Sequence, residues 1–206
     1  GASGGIGSMA VQICKAVGAN AIGIISDDDK IPFVKNLGAV GVLNRKNYDC
    51  FGQLPDVKDP NGYSDFIKKC RVLGKDIWEI TGKKDVDIVF EHPGESTFPV
   101  STYLVKTGGM VVICAGTSGY NLTMDARYVW MRQKRIQGSH FANLYQANQA
   151  NEMMIQKLIN PLMSECFKWE EIPSAHTKMM NNKHLPGNMA ALVQAKKTGL
   201  KTLNEV

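Results

Sequence analysis

The segment that most constrains the fold is the glycine-rich stretch Gly1-Ala2-Ser3-Gly4-Gly5-Ile6-Gly7, which runs directly into an apolar pattern of helical spacing over residues 8–17. Glycines let an anion approach the backbone, and the first turn of a helix offers unpaired N–H groups and a positive dipole end. Asp27 follows Gly7 by 20 positions. Glycine patterns also occur in ordinary turns, but a glycine loop followed by a helix, a strand and an acid at this spacing predicts a dinucleotide-binding unit.

Helical and strand patterns alternate along the chain. The helical patterns cover residues 8–17, 31–37, 63–80, 96–105 and 144–158, and the first, second and fourth are expected to end at Gly18, Gly38 and Gly108-Gly109. Short apolar runs predict strands at 21–25, 40–43, 86–91, 110–115 and 135–140. This alternation predicts an α/β fold, a Rossmann-type doubly wound parallel sheet.

Two domain segments are expected. Residues 1–160 carry the alternating pattern and are interpreted as the dinucleotide-binding (Rossmann) domain. Residues 161–206 change character, since Pro161, Pro173 and Pro186 interrupt the pattern, and 187–194 is interpreted as a final strand with no crossover helix before it.

The strand that normally precedes the glycine loop is not in the sequence. In the usual strand order it lies at the centre of the sheet, so strands 21–25 and 86–91 are expected to flank an empty slot. Unpaired backbone groups in a buried slot are costly. The chain is therefore interpreted as a fragment of a longer protein.

Composition excludes several other classes of protein. The longest apolar stretches are far shorter than the roughly 20 residues that span a bilayer, so no membrane span is expected. The net charge of +5 is spread among acidic and apolar residues, which favours solvated faces over a nucleic-acid surface. The five cysteines are widely separated and lack zinc-ligand spacing, so no metal site is predicted and a reducing cytoplasm is expected.

Candidate chemistry lies where the later strands end. Ala115 ends the strand at 110–115, and Gly116 and Ser118 follow it, at the edge where open α/β sheets bind ligands. Small residues there would let a nicotinamide ring lie against the backbone, and the alternative is a tight turn. His140 ends the last strand and is a candidate acid or hydrogen-bond donor, although an isolated histidine is more often structural.

Several segments carry a resemblance to a known family. They are Gly1–Gly7, VDIVFEHPG at 86–94, TSGY at 117–120, Arg127-Tyr128 with Trp130-Met131, RI-x-GSHFAN at 135–143 and GNMA at 187–190. Together they resemble the crotonyl-CoA carboxylase/reductase family of the medium-chain dehydrogenase/reductase superfamily. The resemblance extends over nearly the whole chain, and the segments 90–94 and 138–143 are the most specific.

The resemblance implies a reductive carboxylation. NADPH would deliver hydride to the β-carbon of a 2-enoyl-CoA, and the enolate would capture CO2 at the α-carbon to give an alkylmalonyl-CoA. In the family, the histidine that matches His140 helps hold CO2, and the pair that matches Arg127-Tyr128 helps bind coenzyme A. The resemblance also implies an upstream GroES-like catalytic domain, to which the C-terminal segment would return, and a homo-oligomer.

Three alternatives stay open. The chain could belong to an NADPH-dependent enoyl or quinone reductase that does not carboxylate, or it could be a non-catalytic dinucleotide-binding module. Residues 125–132 could also be an amphipathic helix, with Tyr128 packed in the core and Arg127 solvated.

The expected cofactor is NADP(H). Ser26, Lys30 and Arg45 suit a 2′-phosphate, whereas Asp27 departs from the family pattern and would repel it. Glu91 and His92 either contact the ribose or order the cleft. The expected cofactor-binding residues are Gly1, Ser3, Gly4, Gly5, Ile6, Gly7, Ser26, Lys30, Arg45, Glu91, His92, Ala115, Gly116, Ser118 and Phe141.

Overall fold

The computed structural model describes residues 1–181 and 183–195. In chain order the elements are α1 (Gly5–Ala16), β1 (Ile22–Ile25), α2 (Ile31–Asn36), β2 (Gly41–Asn44), α3 (Pro60–Thr81), β3 (Val86–Glu91), α4 (Phe98–Leu104), β4 (Val105–Ile113), α5 (Ala126–Trp130), β5 (Arg135–Gly138), α6 (Leu144–Ile155), β6 (Met163–Lys168), α7 (Ile172–Met180) and β7 (Asn188–Leu192). None of the described helices is long and apolar enough to cross a lipid bilayer.

The chain divides into two compact units. The first contains Gly1–Asn44 and the chain from Leu144 onward, and the second contains Arg45–Asn143. Of the predicted 161–206 segment, residues 161–181 and 183–195 lie in the first unit, and the others fall outside the described residues.

All strand pairs are parallel, which confirms the predicted α/β class. The first unit has a β1–β2 sheet and a β6–β7 sheet, and the second has a three-stranded sheet of order β3-β4-β5. Among the described strands, β1 pairs with β2 alone and β3 pairs with β4 alone. These are the two strands expected to flank the first strand of a Rossmann sheet.

Each unit has its own apolar core. In the first, Ala2, Val11, Ile25 and Val34 form a buried cluster that joins the glycine loop to α1, β1 and α2. In the second, Phe98, Val105 and Val111 pack α4 against β4. Helix α3 buries Phe66, Cys70, Leu73 and Ile77, whose spacing of three and four residues places them on one helical face.

Glycine ends α1 and α2 as predicted, but not α4. Gly18 and Gly38 have φ of 77° and 111°, a region that other residues rarely adopt. Gly108 and Gly109 were expected to close the fourth helix, and this prediction is wrong because both lie inside β4. Helix α4 ends earlier because Val105 is already extended and begins β4, and the Lys134 ammonium donates to two of the last helix carbonyls, Thr102 O at 2.7 Å and Tyr103 O at 2.8 Å.

Gly109 has a different function in the fold. A Cβ atom there would lie 2.6 Å from Val105 Cγ2 and 2.8 Å from Asp87 O. The residue is therefore glycine because β4 approaches β3 closely at this point.

The C-terminal prediction also needs correction. The last strand was expected to have no crossover helix before it, but β6, α7 and β7 form a parallel strand–helix–strand unit. Pro173 lies in the first turn of α7, where proline is favoured because its missing N–H has no helical partner. Pro173 therefore marks where α7 begins and does not interrupt the strand–helix–strand pattern.

Candidate functional site

The glycine loop forms a tight turn at the start of α1. Gly4 N donates to Gly1 O at 3.1 Å, and Ala2 N donates to Ile24 O at 3.0 Å, which fixes the loop against β1. Gly4 is the N-cap of α1 and provides no side-chain cap, and the first turn contains no acidic residue. The N–H groups of this 12-residue helix are thus not capped by a side chain and suit an anion.

Gly7 is required by this geometry. A Cβ atom at Gly7 would lie 2.2 Å from Gly1 O and 2.7 Å from Ala2 Cα. Both contacts are with backbone atoms, which cannot give way as a flexible side chain can. Ser3 and Ile6 lie in the same turn, so the structure brings the predicted loop residues together.

A compact charged group follows β1. Ser26 Oγ donates to Asp27 Oδ2 at 3.0 Å, and Lys30 Nζ forms an ion pair with the same oxygen at 3.0 Å. The Lys30 ammonium therefore offsets the negative charge of Asp27, which was expected to repel the 2′-phosphate of NADP. Arg45 belongs to the second unit, where it opens a short 3-10 turn, so the structure does not group it with Ser26 and Lys30 in one unit.

The second unit gathers the later candidates at one edge of its sheet. Glu91 pairs with Ile113 in register, and Ile113 pairs with Gly138. The carboxyl ends of β3, β4 and β5 are therefore level. His92, Ala115 and His140 each follow one of these ends, so the predicted convergence on this edge is present.

The loops after β3 and β4 are bonded to each other. Ser118 Oγ donates to Pro93 O at 2.8 Å and accepts from Ser96 N at 3.0 Å. A Cβ atom on Gly116 would lie 2.8 Å from Tyr120 Cδ1. These contacts give Ser118 and Gly116 a role in holding the turn, which supports the tight-turn alternative without removing the cofactor role.

Glu91 orders the start of α4. Its side chain is 2% exposed and accepts from Thr97 Oγ1 at 2.5 Å, from Gly94 N at 3.0 Å and from Ser101 Oγ. Both carboxylate oxygens are used within the second unit. This arrangement favours an ordering role for Glu91 over direct contact with a ribose.

His140 and Phe141 lie on an exposed turn after β5. Their ring centroids are 3.9 Å apart at an interplanar angle of 58°. Phe141 has φ of 56° and is 89% exposed, although a bulky residue rarely adopts this backbone conformation. Strained residues of this kind concentrate at functional sites.

Arg127 and Tyr128 belong to a polar cluster that also contains Tyr63 and Asp125. Asp125 is the N-cap of α5 and accepts from Arg127 N, from Arg127 Nε at 2.9 Å and from Arg127 Nη2 at 2.6 Å. Tyr63 OH donates to Asp125 Oδ2 at 2.5 Å and lies 3.0 Å from Tyr128 OH. Arg127 is therefore ion-paired and still 55% exposed, so the helix alternative is right that Arg127 is solvated but did not include its ion pair with Asp125.

The electrostatics of this cluster follow from these contacts. The Arg127 guanidinium is the main cause that lowers the pKa of Asp125 to about 2, although burial opposes it. Burial and the neighbouring Asp125 carboxylate raise the pKa of Tyr63 well above its usual value. At neutral pH the carboxylate is ionised and both tyrosines are protonated.

Sequence reasoning missed several residues that this geometry depends on: Tyr63, Thr97, Ser101, Asp125 and Lys134. Three of them had a local signal, since Asp125 is a favoured N-cap before a helix, and Thr97 and Ser101 are four residues apart on one helical face. Tyr63 precedes Asp125 by 62 positions, and no pattern in the sequence links the two.

Comparison with known proteins identifies the family. The sequence profile described as zinc-binding dehydrogenase matches residues 5–159. The chain belongs to the zinc-binding dehydrogenase family. Among residues 1–181 and 183–195, no group of three or more His, Cys, Asp or Glu side chains is arranged to hold a metal ion.

Relatives within this family confirm the predicted resemblance and the Rossmann-type fold. A crotonyl-CoA carboxylase/reductase of Cereibacter sphaeroides is 62% identical over 207 residues, covering 100% of this chain and 48% of the relative. The structure of crotonyl-CoA carboxylase/reductase AntE in complex with NADP has a TM-score of 0.93 at 40% identity, covering 96% of this chain and 49% of AntE.

A third similar protein is the 2-octenoyl-CoA carboxylase reductase CinF in complex with NADP and 2-octenoyl-CoA. It has a TM-score of 0.84 at 34% identity, covering 100% of this chain and 44% of CinF. The chain thus spans about half the length of the relatives it matches.

Proposed function

We propose that this chain is the dinucleotide-binding part of an enzyme that reductively carboxylates a 2-enoyl-CoA with NADPH and CO2 to an alkylmalonyl-CoA. The observation that carries the proposal is the 62% identity to the Cereibacter sphaeroides crotonyl-CoA carboxylase/reductase over the whole chain. The level strand ends of the second unit support it, because the specific residues 138–143 begin at the carboxyl end of β5, the edge at which open α/β sheets bind ligands.

The glycine loop would hold the pyrophosphate of the dinucleotide. The uncapped first turn of α1 supplies N–H donors and the positive end of the helix dipole. The close packing at Gly7 fits this group, since the loop can lie tightly against α1 only without a side chain there. When bound, NADPH supplies the hydride for the β-carbon of the enoyl thioester.

NADP is the favoured dinucleotide. Two similar structures, those of AntE and CinF, are complexes with NADP. In this chain the ion pair between Lys30 and Asp27 reduces the repulsion between Asp27 and a 2′-phosphate. Lys30 and Ser26 lie beside the position where a 2′-phosphate is expected, directly after the second strand of the fold.

His140 is proposed to hold CO2 by donating a hydrogen bond to one of its oxygens. A reactive enolate must meet CO2 before it meets a proton, so a placed donor beside the reacting carbon favours carboxylation over simple reduction. The position of His140 after β5, level with the ends of β3 and β4, supports this role.

The remaining sequence predictions accompany this proposal. Residues 161–206 are proposed to contact an upstream catalytic domain, and the complete enzyme is proposed to be a cytoplasmic homo-oligomer. The exposed strand β5, which pairs only with β4 among the described strands, is an edge of the kind that sheet pairing uses.

A hybrid enzyme tests the proposal. In it, this chain replaces the matching 207 residues of the Cereibacter sphaeroides relative. With crotonyl-CoA, NADPH and bicarbonate, the hybrid should form the carboxylated product and should turn over faster with NADPH than with NADH. A hybrid that yields only reduced acyl-CoA, or no product, contradicts the proposed function.

His140→Ala in the hybrid should lower the ratio of carboxylated to reduced product by about tenfold, the value of one well-placed hydrogen bond. Mass spectrometry of the acyl-CoA products measures this ratio. His176→Ala, which removes an exposed histidine on α7, is the matched control and should leave the ratio unchanged. Equal product ratios in the two variants would show that His140 does not hold CO2 in the reaction.

A further inference from the structure

The ion pair of Arg127 involves a buried partner, Asp125. Arg127 presents its side chain to solvent at 55% exposure, whereas the Asp125 side chain that it pairs with is only 5% exposed. A buried carboxylate is costly unless it is paired and hydrogen-bonded. Asp125 meets this requirement by accepting from Arg127 and from Tyr63, so the carboxylate and the guanidinium are held in one fixed geometry.

We propose that Asp125, supported by Tyr63, is a positioning residue that fixes the guanidinium of Arg127 toward the phosphate groups of the coenzyme A substrate. This inference rests on the proposed function and on the role in coenzyme A binding that the family resemblance implies for Arg127-Tyr128. It goes further by assigning the orientation of Arg127 to two residues that do not themselves touch the substrate.

The geometry leaves Arg127 able to bind an anion while it is paired. Asp125 takes the Nε–H and an Nη2–H of the guanidinium. A guanidinium carries five N–H donors in a planar fork, so three remain for a phosphate. Because one edge of the fork is fixed by a buried group, the other edge has a defined direction and little rotamer entropy is lost on binding.

Tyr63 also contacts the Arg127 guanidinium through its ring. The Arg127 Cζ atom lies 5.5 Å from the centroid of the Tyr63 ring, within the range of a cation–π contact. Because the Tyr63 hydroxyl donates its hydrogen bond to Asp125, the Tyr128 hydroxyl must donate to the Tyr63 oxygen. Tyr128, Tyr63 and Asp125 thus form one directed chain of hydrogen bonds that ends on the carboxylate, and the Tyr128 hydroxyl is already used as a donor.

Asp125→Asn in the hybrid enzyme tests the inference, since the amide keeps the shape but loses the charge. The KM for crotonyl-CoA should rise about tenfold, with kcat within about twofold, since a charge-assisted contact is worth more than a neutral one. The turnover of crotonyl-N-acetylcysteamine, a thioester without nucleotide or phosphates, should not change. Tyr63→Phe keeps the ring and should raise the KM in the same direction by about threefold.

The control is Asp65→Asn. Asp65 forms an exposed ion pair with Lys69 at 2.7 Å on α3, so its replacement removes the same charge away from Arg127. It should leave the KM for both substrates as in the parent hybrid.

Three outcomes would overturn the proposal. They are an unchanged KM in Asp125→Asn, a lower KM, which would mean that the carboxylate competes with phosphate for Arg127, and an equal loss with both thioesters, which would mean that Asp125 only supports the fold. Failure of the proposed function is recognised separately. Coenzyme A binding measured by calorimetry on the hybrid needs no turnover, and it should weaken about tenfold in Asp125→Asn even where no carboxylated product forms.

Discussion

The two candidate anion sites of this chain are built in opposite ways. The glycine loop in the first unit offers backbone N–H groups at the start of α1, and all of its parts lie within seven consecutive residues. The Arg127 site in the second unit offers a side-chain charge, and its orientation depends on Tyr63, which lies on α3, far away in sequence. A backbone site depends on the absence of side chains, whereas a side-chain site depends on their correct assembly.

This difference predicts how each site fails. An added side chain should destroy the glycine loop outright, because backbone atoms cannot move aside. Loss of a single partner in the second unit should weaken or loosen a network that retains its other bonds. Substitutions in the two units should therefore differ in size and in what they affect.

The largest effect is expected for Gly7→Val. The new Cβ atom would lie 2.2 Å from Gly1 O and 2.9 Å from Gly1 C, so the loop must leave α1. We expect dinucleotide affinity to fall by about 100-fold, since overpacking of this kind costs up to about 3 kcal/mol. Fluorescence titration with NADPH measures the affinity.

Gly74→Ala is the matched control for this variant. Its added methyl group would meet only Leu104 Cδ2 at 3.4 Å, and alanine stabilises a helix relative to glycine. Its NADPH affinity should equal that of the parent chain. If Gly7→Val bound NADPH as tightly as Gly74→Ala, the glycine loop would not be the binding element.

A smaller, local effect is expected for Glu91→Ala. The variant leaves the Thr97 and Ser101 hydroxyls and the Gly94 N–H without their acceptor. Each lost bond is worth about 1 kcal/mol, so the second unit should lose about 2–4 kcal/mol of unfolding free energy. Hydrogen exchange followed by mass spectrometry should locate the loss within residues 45–143.

Glu79→Ala serves as the control, because it removes an exposed glutamate from α3 in the same unit. Its effect should stay within about 0.5 kcal/mol, as for most surface substitutions. An equally small effect for Glu91→Ala would show that the buried carboxylate does not order the loops at this edge of the sheet.

The same contrast explains what the sequence predicted and what it did not. The glycine loop, the glycine ends of α1 and α2 and the bounds of β3 depend on local spacing, and the structure agrees with each. The end of α4 is instead capped by Lys134, a residue about 30 positions later that no local pattern connects to it. The site residues Tyr63 and Asp125 depend on a contact that no local pattern specifies.

Lys134 provides the finest test of the side-chain network. It is 5% exposed, caps α4 and stacks its ammonium over the Tyr128 ring at 5.2 Å, so it joins the cluster around Arg127. Burial is the main cause that lowers its pKa to about 8. In the unfolded chain the pKa of a lysine is about 10.4.

The sign of the pH dependence follows from these two values. Between about pH 8 and 10.4 the unfolded chain holds a proton that the folded chain has released, so raising the pH through this range favours the folded state. We expect a pH-dependent difference in the free energy of unfolding between the parent chain and Lys134→Met, measured by urea denaturation. This difference should be constant below pH 8 and should then rise by up to about 3 kcal/mol. Other titrating groups cancel in the difference because both proteins share them. The neutral amine still has two N–H bonds for the carbonyls of Thr102 and Tyr103, so capping of α4 persists. A difference that stays constant across this range would mean that the helix carbonyls and the Tyr128 ring hold the ammonium strongly enough to outweigh its burial.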